Sequence, residues 1–309
     1  MKRFRNIVVG VDLANDDQLV ADKLSDATSA AIDDGLWLAK HNDAKLIFFN
    51  ALEVPEYARF VAQEQPDVES TLIADCEDRM AAIAQRAKAE NIDADHVLAF
   101  GKSWVELIRQ ILKQQHDLVI TGTRQRGAAA SVLFGSTGMK LLRKCPCPVW
   151  ITKPCQGRQM TSILVANDLS PVSECALELG VSMAELHQAQ LHVLHVLELG
   201  LGRREWDSYE IRVRARAEAS KKLEAQLARV DVGRLQKPPS IDIVVDAADT
   251  AIVHRIEQSG IDLLVMGTVG RGGISGVLVG NTAERLLPRI QCSVLAVKPS
   301  DFICPIAAE

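Results

Sequence analysis

The sequence predicts an α/β protein in which one five-stranded, parallel-sheet domain occurs twice in tandem. Three observations predict this: the length of the chain, an internal repeat, and short apolar runs that alternate with helical stretches. A chain of 309 residues is long for one hydrophobic core and suits two domains of about 150 residues each. Hydrophobic residues make up 48% and charged residues 24% of the chain, which is ordinary for a globular protein and too apolar for a disordered one.

The internal repeat appears as one constant offset between the two halves of the chain. Segment 117–123 resembles segment 262–268, an offset of 145 (262 − 117), and the same offset pairs Gly135 with Gly280. At the first strand the offset becomes 156 (168 − 12), so the first copy carries 11 more residues (156 − 145). This insertion, residues 14–24, lies between the first strand and the first helix.

Short apolar runs, rich in Val, Ile and Phe, predict the strands of each copy. In the first copy they lie at 6–12, 45–51, 95–100, 117–122 and 147–153, with helical stretches near 25–42, 67–91, 102–115 and 136–144. In the second copy they lie near 162–168, 190–197, 240–246, 262–267 and 292–298. Strands that are apolar throughout and separated by helices predict a parallel sheet covered on both faces, a Rossmann-like architecture. Ser25 is expected to cap the first helix.

These elements place the domain boundaries. The first domain is predicted to span residues 1–154 and the second residues 160–299, followed by a C-terminal tail at 300–309. The short segment Gln156–Arg158 between the domains is a natural linker.

The second copy carries a group of glycines after its fourth strand. Gly267, Gly270 and Gly280 have the spacing G-x2-G-x9-G, and Asn281 and Thr282 follow. Gly267 lets the chain turn sharply off the strand, and Gly270 lets the backbone approach a ligand without an intervening side chain. The helix that begins here offers N–H groups suited to a phosphate, at the sheet edge where open parallel sheets bind ligands.

The same residues also fit a purely structural interpretation. Asn281 followed by Glu284 is a helix-start pattern, in which an Asn cap is followed by Glu at the third helical position. It would be present without any ligand. Two interpretations of the glycine loop therefore remain open: it binds phosphate, or it only makes a turn.

The glycine spacing and the five-strand pattern resemble the ATP-binding members of the universal stress protein family, whose motif is G-x2-G-x9-G followed by Ser or Thr. The resemblance covers nearly the whole chain and includes Asp168 after the first strand, Leu194–Val196 at the end of the second, and Lys298 after the fifth. The two-domain layout, together with segment 141–150 and the Gly267–Gly270 segment, looks most like the E-type tandem bacterial members. It implies an adenine nucleotide alpha hydrolase-like fold for each domain.

The resemblance also implies a binding site and a ligand. Residues implied to contact the adenine and ribose, line the site, or meet the phosphates are, in chain order, Asp168, Val196, Met266, Gly267, Gly270, Gly280, Asn281 and Thr282. At Asn281 this chain has an amide where the family motif has a hydroxyl. The implied ligand is ATP, or AMP or ADP, with or without Mg²⁺.

The first copy departs from the motif. It keeps Gly122, Gly135 and a hydroxyl at Ser136, but Gln125 stands at the position of the second glycine, where a long side chain obstructs a phosphate. The insertion follows Asp12 at the same sheet edge and brings in three carboxylates, at Asp16, Asp17 and Asp22. Carboxylates repel phosphate. The first copy is therefore expected to bind nucleotide weakly or not at all. If the insertion is only a harmless surface loop, Gln125 still argues against binding.

Composition and motifs argue against several other functions. A formal net charge of −5 and a pI near 5.9 give no basic excess for nucleic acid. The apolar run Ile7–Val11 is too short for a signal-peptide core, and no run approaches the about 20 residues of a membrane span, so a cytoplasmic location is expected without membrane insertion. Seven cysteines, odd in number and without zinc-type spacing, are expected to be reduced and mostly buried.

Nothing in the sequence supplies catalytic or metal-binding residues. The Walker pattern, the nucleophile elbow and the His-Glu-x-x-His pattern are absent. His192 and His195 are three apart on a strand and point to opposite faces, which argues against a shared metal. Cys145 and Cys147 lack an electropositive neighbour that would activate them, and buried thiols are the expectation.

The sequence thus predicts a stress-response protein that binds an adenine nucleotide in its second domain without catalysing a reaction. The first domain acts as its pseudo-symmetric partner. By resemblance, domains pair through the last strands, Val149–Thr152 and Val294–Val297, and two tandem chains form a homodimer. The alternatives are a scaffold or carrier for an apolar or nucleotide-sugar ligand, and a slow ATPase or redox enzyme, against which the missing base and metal ligands argue.

Overall fold

The computed structural model of the chain describes residues 3–14, 23–53, 66–123, 135–154, 159–198, 209–268 and 280–308. It divides the chain into two compact units. The first is Met1–Arg158 together with Cys304–Glu309, and the second is Gln159–Ile303. The last six residues are thus grouped with the first unit, although they follow the second in sequence.

The first unit alternates strands and helices in the order that the sequence predicts. Its strands are β1 (Asn6–Gly10), β2 (Lys45–Leu52), β3 (Ala94–Phe100), β4 (Leu118–Gly122) and β5 (Val149–Thr152). Its helices are α1 (Asp26–Asn42), α2 (Pro66–Ala89), α3 (Ser103–Gln114) and α4 (Ser136–Lys144). All strand pairs are parallel, in the order β3-β2-β1-β4-β5.

The second unit repeats this arrangement. Its strands are β6 (Ser162–Ala166), β7 (Gln190–Leu197), β8 (Ser240–Val245), β9 (Leu263–Gly267) and β10 (Ser293–Val297). Its helices are α5 (Pro171–His187), α6 (Tyr209–Leu227), α7 (Ala248–Ser259) and α8 (Asn281–Leu286). The parallel order is β8-β7-β6-β9-β10. Every predicted strand exists, and its ends lie within two residues of the predicted ones.

The first helix of each unit begins at a serine cap. Ser25 Oγ accepts a hydrogen bond from Thr28 N at 3.1 Å, as the sequence predicts. Ser170 Oγ accepts one from Ser173 N at 3.3 Å, and Pro171 opens the helix. A side-chain oxygen at this position satisfies an N–H group that has no partner within the helix.

An aspartate at the amino edge of each sheet holds the start of the central strand. Asp117, directly before β4, accepts hydrogen bonds from Arg5 N at 2.6 Å and Asn6 N at 3.1 Å. Asp262, directly before β9, accepts one from Thr161 N at 2.6 Å. The aspartates that begin the repeated segments 117–123 and 262–268 therefore have a structural role, because each carboxylate accepts hydrogen bonds from N–H groups at the start of the neighbouring strand.

A glycine lets the first helix of each unit lie close against the central strand. A Cβ atom at Gly35 of α1 would be 2.5 Å from Val9 Cγ2 of β1, and one at Gly180 of α5 would be 2.3 Å from Val165 Cγ2 of β6. Both valines are fully buried, so neither methyl group has room to retreat. The close helix–strand contact therefore requires glycine in both copies.

One buried histidine distinguishes the first core from the second. His116 is 4% exposed and occupies the position of Ile261 in the repeat. Burial, reinforced by the charge of Lys45 and opposed by a backbone contact with Asn6, lowers the pKa of His116 from 6.5 to about 4. The imidazole is therefore neutral inside the fold and ionises readily only when the chain unfolds.

We expect Gly180→Ala to destabilise the second unit. In an unconstrained helix this change stabilises by about 0.5–1 kcal/mol. Here the new methyl group meets Val165, and overpacking of this kind costs about 1–3 kcal/mol. Urea unfolding should show a net loss, whereas Gly233→Ala, where a Cβ atom comes no closer than 3.4 Å to Asp231, should change little. A more stable Gly180→Ala protein would contradict the close contact.

We expect His116→Ile, which copies the second unit, to remove an acid-dependent loss of stability. Because the folded pKa lies below the unfolded value, the unfolded state binds more protons between pH 6.5 and about 4, and stability falls as the pH drops through this window. The total loss is up to about 3 kcal/mol. Thermal unfolding at pH 7 and pH 4.5 should show a smaller difference for the variant than for the unmodified protein. Equal differences would contradict a buried, neutral His116.

Candidate functional site

The candidate site lies where the strand order of the second unit reverses. Ala166, the last residue of β6, pairs with Leu194 of β7 on one side and Met266 of β9 on the other. The chain leaves the carboxyl ends of β6 and β9 in opposite directions, which opens a crevice at this edge. Asp168 follows β6 by two residues, Val196 lies two residues beyond Leu194 in β7, and Met266 pairs with Ala166, so the predicted residues of three separate segments lie at the same edge of the sheet.

Asp168 lies in a turn that is held by two side chains. Its Oδ1 atom accepts a hydrogen bond from Ser170 N at 3.0 Å, and Asn167 Oδ1 accepts one from Leu169 N at 2.7 Å. Leu169 has a φ of 65°, a left-handed conformation that is unfavourable for a leucine. Asp168 is half-buried and is held in place by the hydrogen bonds of its own turn. The residue next to it, Leu169, has a strained backbone.

A buried polar network surrounds Asn167. Its amide donates to Gln226 Oε1 at 3.0 Å, and its Oδ1 atom accepts from Ser173 Oγ at 3.0 Å. Gln226 Nε2 donates to Ser170 O at 3.3 Å, and His195 Nδ1 donates to Asn167 O at 2.8 Å. Asn167, Ser173, His195 and Gln226 are each at most 5% exposed.

Sequence analysis named only His195 from this network. Asn167 stands where an apolar strand ends, and Gln226 faces inward from α6 at a spacing of three from Leu223, which is itself buried. A buried amide in an otherwise apolar helix stripe is a usable signal, since buried polar groups need partners. The partners themselves are not visible in the sequence, because they are separated by as many as 59 positions.

The glycine loop begins and ends at the same point. Thr268 is anchored to β10, since its N–H and its hydroxyl both donate to Val297 O, at 3.1 and 3.2 Å. Gly280 N then donates to Thr268 O at 2.7 Å. The loop between them, which includes Gly270, lies outside the described residues.

Helix α8 begins at Gly280, so the expectation that Asn281 caps it is wrong. Gly280 has an extended backbone (φ −57°, ψ 147°), and its carbonyl accepts the first helical hydrogen bond, from Glu284 N at 3.1 Å. Asn281 is therefore the first helical residue, followed by Thr282, which is half-buried. Gly135 begins α4 in the same way, ahead of Ser136. Glycine has no side chain to cap a helix, so neither helix start has a side-chain hydrogen bond at its cap.

The neighbouring helices at this edge begin differently. Glu198, after β7, accepts a hydrogen bond at 2.9 Å from the N–H of Ala248, the first residue of α7. Glu53 does the same for Ser103 N of α3, at 2.7 Å. A carboxylate of the chain thus occupies the start of α3 and of α7.

The first glycine of the motif is explained by packing. A Cβ atom at Gly267 would lie 3.0 Å from Val172 Cγ1 of α5, and one at Gly122 would lie 2.4 Å from the carbonyl oxygen of Ala27 in α1. The first helix of each unit therefore presses on the end of the fourth strand. This contact alone requires a glycine in the first unit and favours one in the second.

The first unit brings its equivalent residues to the carboxyl edge of its own sheet, where their hydrogen-bond partners differ from those in the second unit. Asp12 Oδ1 accepts from Ala14 N at 3.1 Å, which matches the Asp168 turn. Val11 replaces Asn167, and Asn50, in the place of His195, donates to Val11 O at 2.8 Å. Leu13, unlike Leu169, does not have a positive φ. Gln125 and the inserted carboxylates Asp16, Asp17 and Asp22 lie outside the described residues.

The surroundings of His192 and of the Cys145–Cys147 pair fit a role in the fold. His192 is half-buried, and burial together with the charge of Arg255 lowers its pKa. Cys145 and Cys147 lie with their sulfur atoms 3.5 Å apart, buried. The hydrogen bond between them, together with burial, raises the pKa of the Cys147 thiol well above its usual value, which keeps the thiol unreactive. No helix within the described ranges is long and apolar enough to span a membrane.

Comparison with known proteins decides the family. The model of the family described as "Universal stress protein family" matches residues 3–153 and, separately, residues 160–298. The chain belongs to the universal stress protein family. The two matches confirm both the tandem organisation and the resemblance on which the sequence analysis relied.

The relatives of the chain include proteins that are named as members of this family. "Universal stress protein E" of Photorhabdus laumondii is 24% identical over an alignment that covers 100% of this chain and 99% of the relative. The protein of that name from Escherichia coli K12 is 26% identical over 66% of this chain and 67% of the relative. The E-type assignment made from the sequence is therefore confirmed.

Solved structures show the same fold over both domains. A putative universal stress protein from Pseudomonas aeruginosa has a TM-score of 0.71 at 21% identity, over 97% of this chain and 95% of that one. One from Archaeoglobus fulgidus has a TM-score of 0.64 at 18% identity, over 95% and 98%. The predicted Rossmann-like universal stress protein fold is thus confirmed.

We expect Gly122→Ala to cost more stability than Gly267→Ala. The methyl group at position 122 would meet a backbone oxygen of α1, which moves only if the helix moves, whereas at 267 it would meet a valine methyl group that can yield. Overpacking predicts a loss of about 2–3 kcal/mol for the first change and about 1 kcal/mol or less for the second. Urea unfolding of both variants measures the difference. Equal losses would mean that helix packing does not set these glycines.

Proposed function

We propose that the protein binds an adenine nucleotide, ATP or the related ADP or AMP, in its second domain and holds it without catalysing a reaction. The observation that carries this proposal is the immobilised Asp168 turn. This turn follows β6, and the two ends of the glycine loop meet after β9, the strand that pairs with β6. A carboxylate on one side and a glycine loop on the other match the two ends of a nucleotide, its sugar and its phosphates.

The sugar end of the proposed site is formed by fixed groups. Asp168 holds its turn through Oδ1, and its carboxylate is proposed to accept a hydrogen bond from a ribose hydroxyl. Val196, on the neighbouring strand β7, is proposed to offer an apolar contact for the base. Met266, which is 6% exposed, completes the apolar floor of the crevice.

The phosphate end is proposed to use the glycine loop and the residues after it. The helix beyond this loop begins with Gly280, which has no capping side chain. Backbone N–H groups without an internal partner suit phosphate oxygens. Gly270 leaves room for the phosphates, and the Asn281 amide replaces the hydroxyl of the family motif as a donor.

The first domain is proposed to bind nucleotide weakly or not at all. Its Asp12 turn lacks the polar network of the second domain, since Val11 replaces Asn167. Gln125 stands in place of Gly270 in the glycine loop. The predictions of a cytoplasmic location, of pairing through the last strands and of a homodimer of tandem chains stay predictions.

A scaffold or carrier function is the second candidate. The observation that favours it is the packing of Gly122 and Gly267 against the first helices, which explains these glycines without a ligand. In that case the pocket of the second domain would hold an apolar or nucleotide-sugar molecule that copurifies with the protein.

Calorimetric titration of ATP into the nucleotide-stripped protein tests the proposal. We expect one site per chain, lost in Gly270→Gln, which copies Gln125 of the first copy. The matched variant Gln125→Gly tests whether the insertion alone disables the first domain. Binding to the unmodified protein that survives Gly270→Gln would place the site elsewhere. No binding to the unmodified protein would overturn the proposal in favour of the carrier.

A further inference from the structure

Leu169 has a strained backbone beside the candidate site, because the left-handed conformation is unfavourable for a residue with a β-carbon. Among the described non-glycine residues with positive φ, the other four are Asp43, Asn91, Gln115 and Gln188, all polar residues at or just beyond the carboxyl ends of helices. Leu169 is instead in the loop that carries Asp168. Such strain persists only where the surroundings impose it.

The surroundings that impose it are the amides of Asn167 and Gln226. Asn167 Oδ1 accepts directly from Leu169 N at 2.7 Å. Gln226 holds the Asn167 amide through its Oε1 atom at 3.0 Å and reaches Ser170 O with its Nε2 atom at 3.3 Å. Gln226 thus grips the turn on both sides of Leu169, from a separate helix.

The first unit shows what happens without this grip. The turn there keeps the aspartate hydrogen bond, from Ala14 N to Asp12 Oδ1, but Val11 offers no side-chain acceptor. Leu13, which corresponds to Leu169, does not adopt the left-handed conformation. The aspartate is therefore common to both turns, while the left-handed backbone occurs with the Asn167–Gln226 pair.

We propose that Gln226 is a positioning residue for the nucleotide site, and that through it helix α6 controls the affinity of the site. Gln226 fixes the backbone on both sides of Leu169 and so sets where the Asp168 carboxylate stands relative to Val196 and Met266. This inference rests on the proposed function, since the site that it regulates is the nucleotide site. A displacement of α6 that withdraws Gln226 releases the turn and weakens nucleotide binding.

A second link between α6 and the rest of the domain provides the control. Arg229, two residues beyond α6, forms a two-point ion pair with Glu174 of α5, at 2.8 Å between Nη2 and Oε2. Its side chain is 57% exposed, so the pair adds little to stability. Arg229→Met therefore removes a neighbouring contact of the same helix end and leaves α6 and both Gln226 hydrogen bonds in place.

Gln226→Met removes both hydrogen bonds with little change in side-chain volume. We expect the dissociation constants of ATP and of adenosine to rise by the same factor, about tenfold, because the lost contacts act on the sugar end of the site. Gly270→Gln should instead weaken ATP far more than adenosine. Arg229→Met should bind both ligands as the unmodified protein does.

A rescue variant separates positioning from general stability. Glycine adopts the left-handed conformation without strain. Leu169→Gly in the Gln226→Met background should therefore recover part of the lost affinity, at least about threefold. A role of Gln226 in overall stability alone would lower the unfolding temperature of Gln226→Met, without a change in affinity well below that temperature and without rescue.

Hydrogen exchange of the Leu169 and Ser170 amides in the nucleotide-free protein tests the grip independently of binding. We expect faster exchange in Gln226→Met and unchanged exchange in Arg229→Met. Unchanged exchange in Gln226→Met would overturn the inference, as would unchanged affinity in a protein that binds ATP. If the unmodified protein binds neither ATP nor adenosine, the proposed function fails instead, and with it the control of affinity, while faster exchange would still support the grip on the turn.

Discussion

The contact between one helix and two neighbouring strands is the constraint on which each domain depends. In the second domain, Gly180 of α5 meets Val165 of the central strand, and Val172 of the same helix meets Gly267 of the strand beside it. The glycine is on the helix in one contact and on the strand in the other. The helix is thereby fixed at two points against the pair of strands whose carboxyl ends form the crevice. The geometry of the candidate site follows from this packing before any ligand is considered.

Much of this architecture could be predicted from the sequence. Strands that are buried on both faces must be apolar along their whole length, so runs such as those of β6 and β9 identify themselves. The repeat then predicted the domain organisation, because each copy by itself predicts the same strands and helices in the same order. The cap at Ser25 was also predictable, because its interaction spans only three positions.

The parts that could not be predicted depend on contacts between distant residues. The pairing of Asn167 with Gln226 joins residues 59 positions apart, and the local pattern indicates at most that Gln226 faces inward, not which group it meets. The pattern Asn-Thr-Ala-Glu predicts a helix cap at Asn281, but the cap of α8 is Gly280, one residue earlier. The hydrogen bond from Gly280 N to Thr268 O, which holds this residue outside the helix, is not visible in the sequence. The packing of Gly267 against Val172 could not be predicted either, because the sequence shows only that Gly267 ends a strand.

The aspartates at the amino edges also have a consequence for the order in which the chain can fold during its synthesis. The hydrogen bond from Arg5 to Asp117 joins residues 112 positions apart, and that from Thr161 to Asp262 joins residues 101 apart. The first strand of each domain therefore leaves the ribosome long before the carboxylate that secures it. Until then its apolar surface needs temporary protection, as do other strands that wait for distant partners. The tandem arrangement imposes this delay twice, and all the strands and helices of the earlier domain are synthesised before those of the second.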